Sequence, residues 1–326
     1  MEWNWIFADD LSFTAKALRV FHYQSEANPV YKRYLAALNC HTSQIHSVEQ
    51  IPFLPIHLFK KEAVVSGNWQ PQTIFESSGT TGTSNSRHLV KDLGLYEASF
   101  FKAFQQFYGS PQDYCILGLL PSYLERGSSS LVYMVQKLVE QSGHHSGGFY
   151  LYDFEGLEQT LRRLEAEGQR TILIGVTYAL LDFAAAHPLP LQHTLIMETG
   201  GMKGRKKELL RAEVHEILQA AFHLKGIHSE YGMTELLSQA YATQEGMFHT
   251  PSWMQALLRE EDDPMAIWQA VEQPTTGALN IIDLANIHSC SFIATEDVAR
   301  LHPDGGFEVL GRLDHSDIRG CSLLAI

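Results

Sequence analysis

Apolar runs of strand length alternate with helix-periodic segments through the middle of the chain, and this alternation narrows the available folds more than any other feature. Tyr114 to Leu120 and Thr171 to Val176 are short, largely apolar runs, the pattern of buried strands, and residues 193–199 read as another strand. Residues 128–141, 156–167 and 204–221 read as helices. Leu157, Leu161 and Leu164 fall at i, i+4 and i+7, and Leu210, Val214, Ile217 and Ala221 share one apolar face. Such alternation predicts an α/β sheet with helical layers, in which ligands gather at the carboxyl edge of the strands. Residues 1–50 carry no motif. Phe7, Phe13, Leu18, Phe21, Tyr31, Tyr34 and Leu35 suggest helices that pack on the main sheet, with Pro52 and Pro55 at the entry to it.

One segment belongs to neither period. Residues 76–88 read Glu-Ser-Ser-Gly-Thr-Thr-Gly-Thr-Ser-Asn-Ser-Arg-His, too rich in glycine and hydroxyls for an element interior. Gly79 and Gly82 allow close backbone approach to a ligand, and the N–H and hydroxyl groups of Ser77, Ser78, Thr80, Thr81 and Thr83 are donors suited to phosphate oxygens. ATP is the expected owner of those phosphates, and a flexible linker is the alternative. The segment is not a P-loop, because no Lys-Ser or Lys-Thr pair follows Gly82, and the dinucleotide Gly-x-Gly-x-x-Gly spacing is missing.

The core Ser77-Ser78-Gly79-Thr80-Thr81-Gly82 resembles the phosphate loop of the adenylate-forming superfamily of acyl-CoA synthetases, luciferases and peptide-synthetase adenylation domains. Thr83-Ser84 stands where that family usually has Pro-Lys. Three further segments match in the same order. Tyr231-Gly232-Met233-Thr234-Glu235 resembles the family's Y-G-x-T-E motif. The resemblance implies that Tyr231 stacks on adenine, Thr234 contacts the α-phosphate and Glu235 holds Mg²⁺. Each assignment suits the chemistry, a planar ring for a purine and a carboxylate for a hard cation. Thr295-Glu296-Asp297 stands for a T-G-D-like motif with Glu296 replacing its glycine, and implies that Asp297 accepts the ribose hydroxyls. Gly311-Arg312-Leu313-Asp314 resembles the G-R-x-D hinge, with Arg312 on ribose or phosphate. The implied fold is the α/β large domain of these enzymes, with layered sheets and helices.

The resemblance also divides the chain. It implies a helical packing segment over 1–50, an adenylate-forming core over 51–314 and a tail over 315–326, with the family's small lysine-bearing C-terminal domain essentially absent. The tail contains Arg319-Gly320-Cys321-Ser322-Leu323 and no lysine. A chain of this kind resembles the acyl-protein synthetases of the bacterial bioluminescence fatty-acid reductase complex, in which a C-terminal cysteine takes the acyl group from acyl-AMP. Cys321 is then the acyl acceptor, its thiol activated by Arg319, and an acyl reductase or other acyl-acceptor protein is the implied partner. A buried, inert thiol is the alternative. Thr199-Gly200-Gly201-Met202-Lys203 follows a predicted strand and opens a helix, a setting in which Lys203 can stand in for the absent lysine. A solvated surface charge is the competing reading. His228 and His315 flank the motifs and are candidates for proton transfer with Cys321, whereas Cys40, Cys115 and Cys290 are expected to be structural.

The 326-residue chain is 45% hydrophobic, enough to bury a large core. Its net charge of −13 argues against nucleic acid, whose phosphates call for a basic surface. Its four cysteines show no Cys-x-x-Cys spacing, and His144-His145 lacks partners at zinc spacing. No apolar run reaches the roughly 18 residues of a membrane span, and Met1-Glu2-Trp3-Asn4-Trp5 is unlike a signal peptide, which makes a cytoplasmic enzyme the expectation. Glu260 to Pro264 reads as an acidic loop.

Three functions remain open on these readings. The first is an ATP-dependent acyl-protein synthetase acting on a carboxylic, by resemblance fatty, acid. The second is a shortened acid–CoA ligase of the phenylacetate–CoA ligase kind. The third is a non-catalytic nucleotide- or acyl-binding subunit of a larger complex.

Overall fold

The computed structural model describes residues 2–77, 85–120, 128–200, 209–261 and 263–313. The chain opens on α1 (Phe13–Ala27) and α2 (Pro29–Ala37). Asn28 separates them by capping α2, accepting from the N–H groups of Val30 and Tyr31 at 3.1 and 3.0 Å, with Pro29 pre-set in the first turn. Both helices pack on the main sheet as the aromatic pattern suggests: Phe21 and Tyr31 are fully buried against Phe292.

After β1 (Leu54–Pro55), β2 (Thr73–Glu76) and β3 (Arg87–Val90) form a two-stranded antiparallel ribbon apart from the main sheet. Then α3 (Leu93–Tyr108), β4 (Cys115–Leu119), α4 (Ser130–Ser142), β5 (Gly148–Phe149), α5 (Phe154–Ala166), β6 (Thr171–Val176), α6 (Thr177–Ala186), β7 (Thr194–Thr199), α7 (Arg211–Phe222) and β8 (His228–Tyr231) realise the alternation read from the sequence. Strands β5, β4, β6, β7 and β8 lie side by side and parallel. Every residue of β4 and β6 is buried, which is why they read as unbroken apolar runs.

The direction then changes. Strand β9 (Ala240–Ala242) runs antiparallel to β8, and the sheet continues through β10 (Phe248–His249), β11 (Met254–Arg259), β12 (Ile267–Trp268), β13 (Thr275–Asp283), β14 (Phe292–Leu301) and β15 (Phe307–Arg312), with spatial order β8, β9, β10, β15, β14, β13, β11, β12. The carboxyl end of β8 therefore faces the junction between a parallel and an antiparallel half.

The predicted face of α7 is corrected. Leu210 and Ile217 are exposed, and the helix buries Val214, His215, Leu218 and Phe222 instead. A histidine takes a core position because Ser229 Oγ, 3.2 Å from its Nε2, and the Glu198 carboxylate satisfy it. The acidic stretch at 260–264 follows β11, and Glu260 and Glu261 are exposed. No described helix is long and apolar enough to cross a membrane.

Candidate active site

Tyr231 ends β8 and Asp297 lies on β14, yet their side chains meet, the Tyr231 hydroxyl donating to Asp297 Oδ2 at 2.8 Å. Strand register places Arg312 opposite Asp297, with Nε 3.7 Å from Asp297 Oδ1 and a second nitrogen 3.6 Å from Glu296 Oε2. Three segments far apart in sequence thus form one edge. Burial raises the Asp297 carboxyl, while the Tyr231 hydrogen bond and the Arg312 charge favour its ionised form. The Tyr231 ring packs edge-on against Phe307 and Phe248, and burial pushes its phenol well up.

Glu235 and Thr234 are held from the other side by the β2–β3 ribbon. At its neck, the Ser77 N–H donates to Ser86 O at 3.0 Å and the Ser86 N–H to Ser77 Oγ at 2.9 Å. The Ser86 hydroxyl favours the charged form of the buried Glu235 carboxyl, whose affinity for a proton is nonetheless raised by burial. One position into β3, His88 has Nδ1 2.9 Å from Thr234 O and Nε2 2.9 Å from Ser289 Oγ. A carbonyl only accepts, so Nδ1 carries the proton and Nε2 accepts from the serine. Burial holds this ring down to about 4, hence neutral.

A polar network behind the motif completes the support. Asp283 accepts from the N–H groups of Leu237 and Ser238, both at 2.9 Å, and from Ser238 Oγ at 2.6 Å. Asn286 donates to Glu235 O at 2.7 Å, and Gln24 of α1 donates to the carbonyls of Asn286 and Ile287. Burial lifts Asp283 to about 6 despite four hydrogen bonds.

On the neighbouring strand, Glu198 of β7 is buried and accepts from Arg211 Nε and Thr177 Oγ1, both at 3.0 Å. Burial opposes its charge, but His215, 3.7 Å away, and the Arg211 charge outweigh that and hold the carboxyl low. Gly200, in the left-handed region at φ 68°, turns the chain out of β7 and accepts from Thr177 Oγ1 at 3.0 Å. Arg211 also lies 4.8 Å above the Phe248 ring.

Among the residues singled out in the sequence, Ser77, Tyr231, Gly232, Thr234, Glu235, Asp297 and Arg312 fall on this edge or its supports. His228 lies elsewhere: it starts β8, with Nδ1 3.3 Å from Tyr108 Oη, and burial brings it down to about 4. Ser78, Gly79, Thr80, Thr81, Gly82, Thr83, Lys203, Asp314, His315 and Cys321 lie outside the described residues. Burial raises the thiols of Cys40, Cys115 and Cys290, the last two to about 11 and about 12, and so favours the unreactive form. Ser86, His88, Asp283 and Asn286 were not marked by the sequence; the one signal was that Ser86 and His88 close the Ser/Gly/Thr run.

The donor set suits a magnesium nucleotide. Among the described residues no group of three metal-binding side chains occurs; Mg²⁺ is commonly held by one or two carboxylates with phosphate oxygens and water, and Glu235 is the carboxylate that could serve. Gly232 is exposed between Tyr231 and Thr234, leaving backbone open to a ligand.

No family model and no curated protein matches the sequence. Solved structures do match. A 2-hydroxyisobutyryl-CoA ligase, in the postadenylation state with R3-HIB-AMP, superposes with a TM-score of 0.64 at 11% identity, over 93% of this chain and 67% of that one. MatB from Rhodopseudomonas palustris, solved with ATP, gives a TM-score of 0.54 at 15% identity over 73% of this chain. The chain covers 47% of MatB, about half its length. Over the residues covered, the chain shares the fold of these two proteins.

Proposed function

We propose that the protein activates a carboxylic acid with MgATP. A carboxylate oxygen attacks the α-phosphorus, pyrophosphate leaves, and acyl-AMP forms. The observation that carries this reading is the Tyr231–Asp297–Arg312 edge, where the Tyr231 hydroxyl donates to Asp297 and strand register sets Arg312 opposite it, with Ser86 at the neck of the ribbon favouring the charged form of the carboxylate that would hold Mg²⁺. In this reading Tyr231 flanks adenine, Asp297 takes the ribose hydroxyls, Arg312 neutralises charge at their side, and residues 77–83 with Thr234 hold the phosphates. Bound Mg²⁺ would neutralise charge on the triphosphate. Fixed donors aimed at the transferring group typically contribute more than any other catalytic term.

The resemblance of the tail extends the proposal. The acid is a fatty acid, Lys203 contributes positive charge at the phosphates, and the Cys321 thiolate attacks the acyl carbonyl, expelling AMP and leaving a thioester for an acyl reductase or another acceptor. The test is carboxylate-dependent ATP–pyrophosphate exchange combined with intact-protein mass spectrometry. Exchange together with an acyl adduct that Cys321→Ser abolishes supports the full reading. Exchange without an adduct, with rapid acyl-CoA formation once CoA is added, moves the assignment to an acid–CoA ligase. No exchange with any acid leaves the non-catalytic binding subunit.

A further inference from the structure

Strand β8 alternates, so Glu230 leaves the opposite face from Tyr231. It is buried, and its Oε2 accepts from Thr199 Oγ1. Register sets Glu230 directly across from Tyr241 on β9, and Gln239 precedes Tyr241 by two, so all three side chains share one face of the β8/β9 pair. Two of them end in polar atoms without a partner. Gln239 Oε1 and Tyr241 Oη are fully enclosed and make no hydrogen bond, although the residues are only 4% and 1% exposed. A buried polar atom left unpaired is destabilising, which makes two orphans beside a buried carboxyl unusual for a core.

Gly232 locates two of these side chains. A Cβ there would collide with Glu230 Oε1 and come within 3.3 Å of Gln239 Cγ. Glu230 and Gln239 therefore converge over the glycine between Tyr231 and Thr234. If Thr234 meets the α-phosphate, an acid attacking that phosphorus must lie beside Gly232. The walls nearby are aromatic: Tyr108 and Phe107 pack on Tyr241 with centroids 5.4 and 5.3 Å away.

We infer that Glu230, Gln239 and Tyr241 form a polar end to the acid pocket, and that the acid bears a hydrogen-bond donor, a hydroxyl or a primary ammonium, which these three groups receive. This inference rests on the adenylation reading alone, not on its extension to a plain fatty acid, and replaces that substrate with a donor-bearing acid. Glu230 and Gln239 Oε1 are acceptors for such a group, and Tyr241 Oη pairs in either sense. Sites built to hydrogen-bond a substrate group reject analogues lacking it far more strongly than apolar pockets distinguish chain lengths.

The test measures kcat/KM for ATP–pyrophosphate exchange with straight-chain alkanoic acids and with hydroxy- and amino-substituted acids of equal length. A donor-bearing acid should exceed its plain counterpart by at least about tenfold, and the near-isosteric Gln239→Met and Tyr241→Phe should lower that ratio severalfold. An amino acid favoured over a hydroxy acid, with the preference lost in Glu230→Gln, identifies an ammonium as the donor. Plain acids that react as well as donor-bearing ones, or a ratio unmoved by the variants, overturn the pocket assignment while leaving adenylation intact. Absence of exchange with every acid overturns adenylation, and the pocket assignment falls with it.

Discussion

The Tyr231 hydroxyl donates to Asp297 Oδ2 at 2.8 Å, joining the end of a parallel strand to the middle of an antiparallel one. Tyr231→Phe keeps the ring and deletes this donor, leaving a buried carboxylate with one partner fewer. The variant should lose about 1–3 kcal/mol of stability in denaturant titration. Under the adenylation reading it should bind ATP several-fold more weakly in a calorimetric titration. Unchanged values for both would make the contact incidental.

Glu235 bears on the acid limb of the reaction. Its carboxyl is raised by burial and lowered by the Ser86 hydroxyl, and only the carboxylate holds a cation. Exchange activity should therefore fall as pH drops through this raised value, and Ser86→Ala should move the limb to higher pH. Glu235→Ala should reduce exchange on the order of 10²–10³-fold, measured at saturating MgATP.

His88 makes the fold sensitive to acid. Its folded-state value, about 4, lies below the ordinary 6.5, so the unfolded chain binds the proton first. The stability it supports is present above about 6.5 and is lost as pH falls from there toward 4. His228 and His288, also lowered to about 4 by burial, act in the same direction. His88→Ala should cost about 2–4 kcal/mol at neutral pH, and the remaining stability should depend less on pH between 6.5 and 4 in equilibrium unfolding.

Glu230 acts in the opposite sense. Burial and the nearby Glu198 charge raise it to about 7 even though Thr199 donates to it. The folded state then holds the proton that the unfolded chain has released, so stability declines as pH rises from about 4.5 to about 7. Glu230→Gln should flatten that decline, read as a smaller loss of melting temperature across the same range.

Breaking the ion pair at the base of β7 should be costly. Arg211→Met leaves Glu198 buried with His215 Nε2 at 3.7 Å and Thr177 Oγ1 at 3.0 Å beside it. The expected loss is roughly 3 kcal/mol in denaturant titration. A Glu198→Gln, Arg211→Met double variant should recover part of it.

The parts of the fold legible in the sequence are those set by local periodicity. Strands β6 and β7 fall within a residue of Thr171 to Val176 and 193–199, β6 because it is buried throughout and mostly apolar, β7 through its apolar centre, Leu195 to Met197. The face of α7 was misread because hydrogen bonding made a histidine buriable, which no apolar count registers. Tyr231, Glu235, Asp297 and Arg312 were legible as motifs. Their supports were not: Gln24 reaches Asn286 across 262 positions, and His88 reaches Thr234 across 146. Such pairs exist only once the chain has folded.

The ribbon of β2 and β3 shares no backbone ladder with the main sheet, and it is fastened near the site by side chains at Ser86 and His88. Its two strands are already closed where Ser77 and Ser86 bond. The ribbon itself therefore fixes where the intervening chain leaves and returns. Lengthening that chain carries only a logarithmic chain-entropy cost, about 0.6 kcal/mol per doubling, so loops of other lengths can be grafted between Ser77 and Ser86 with the scaffold unchanged, making this the natural place to re-engineer what the protein grips.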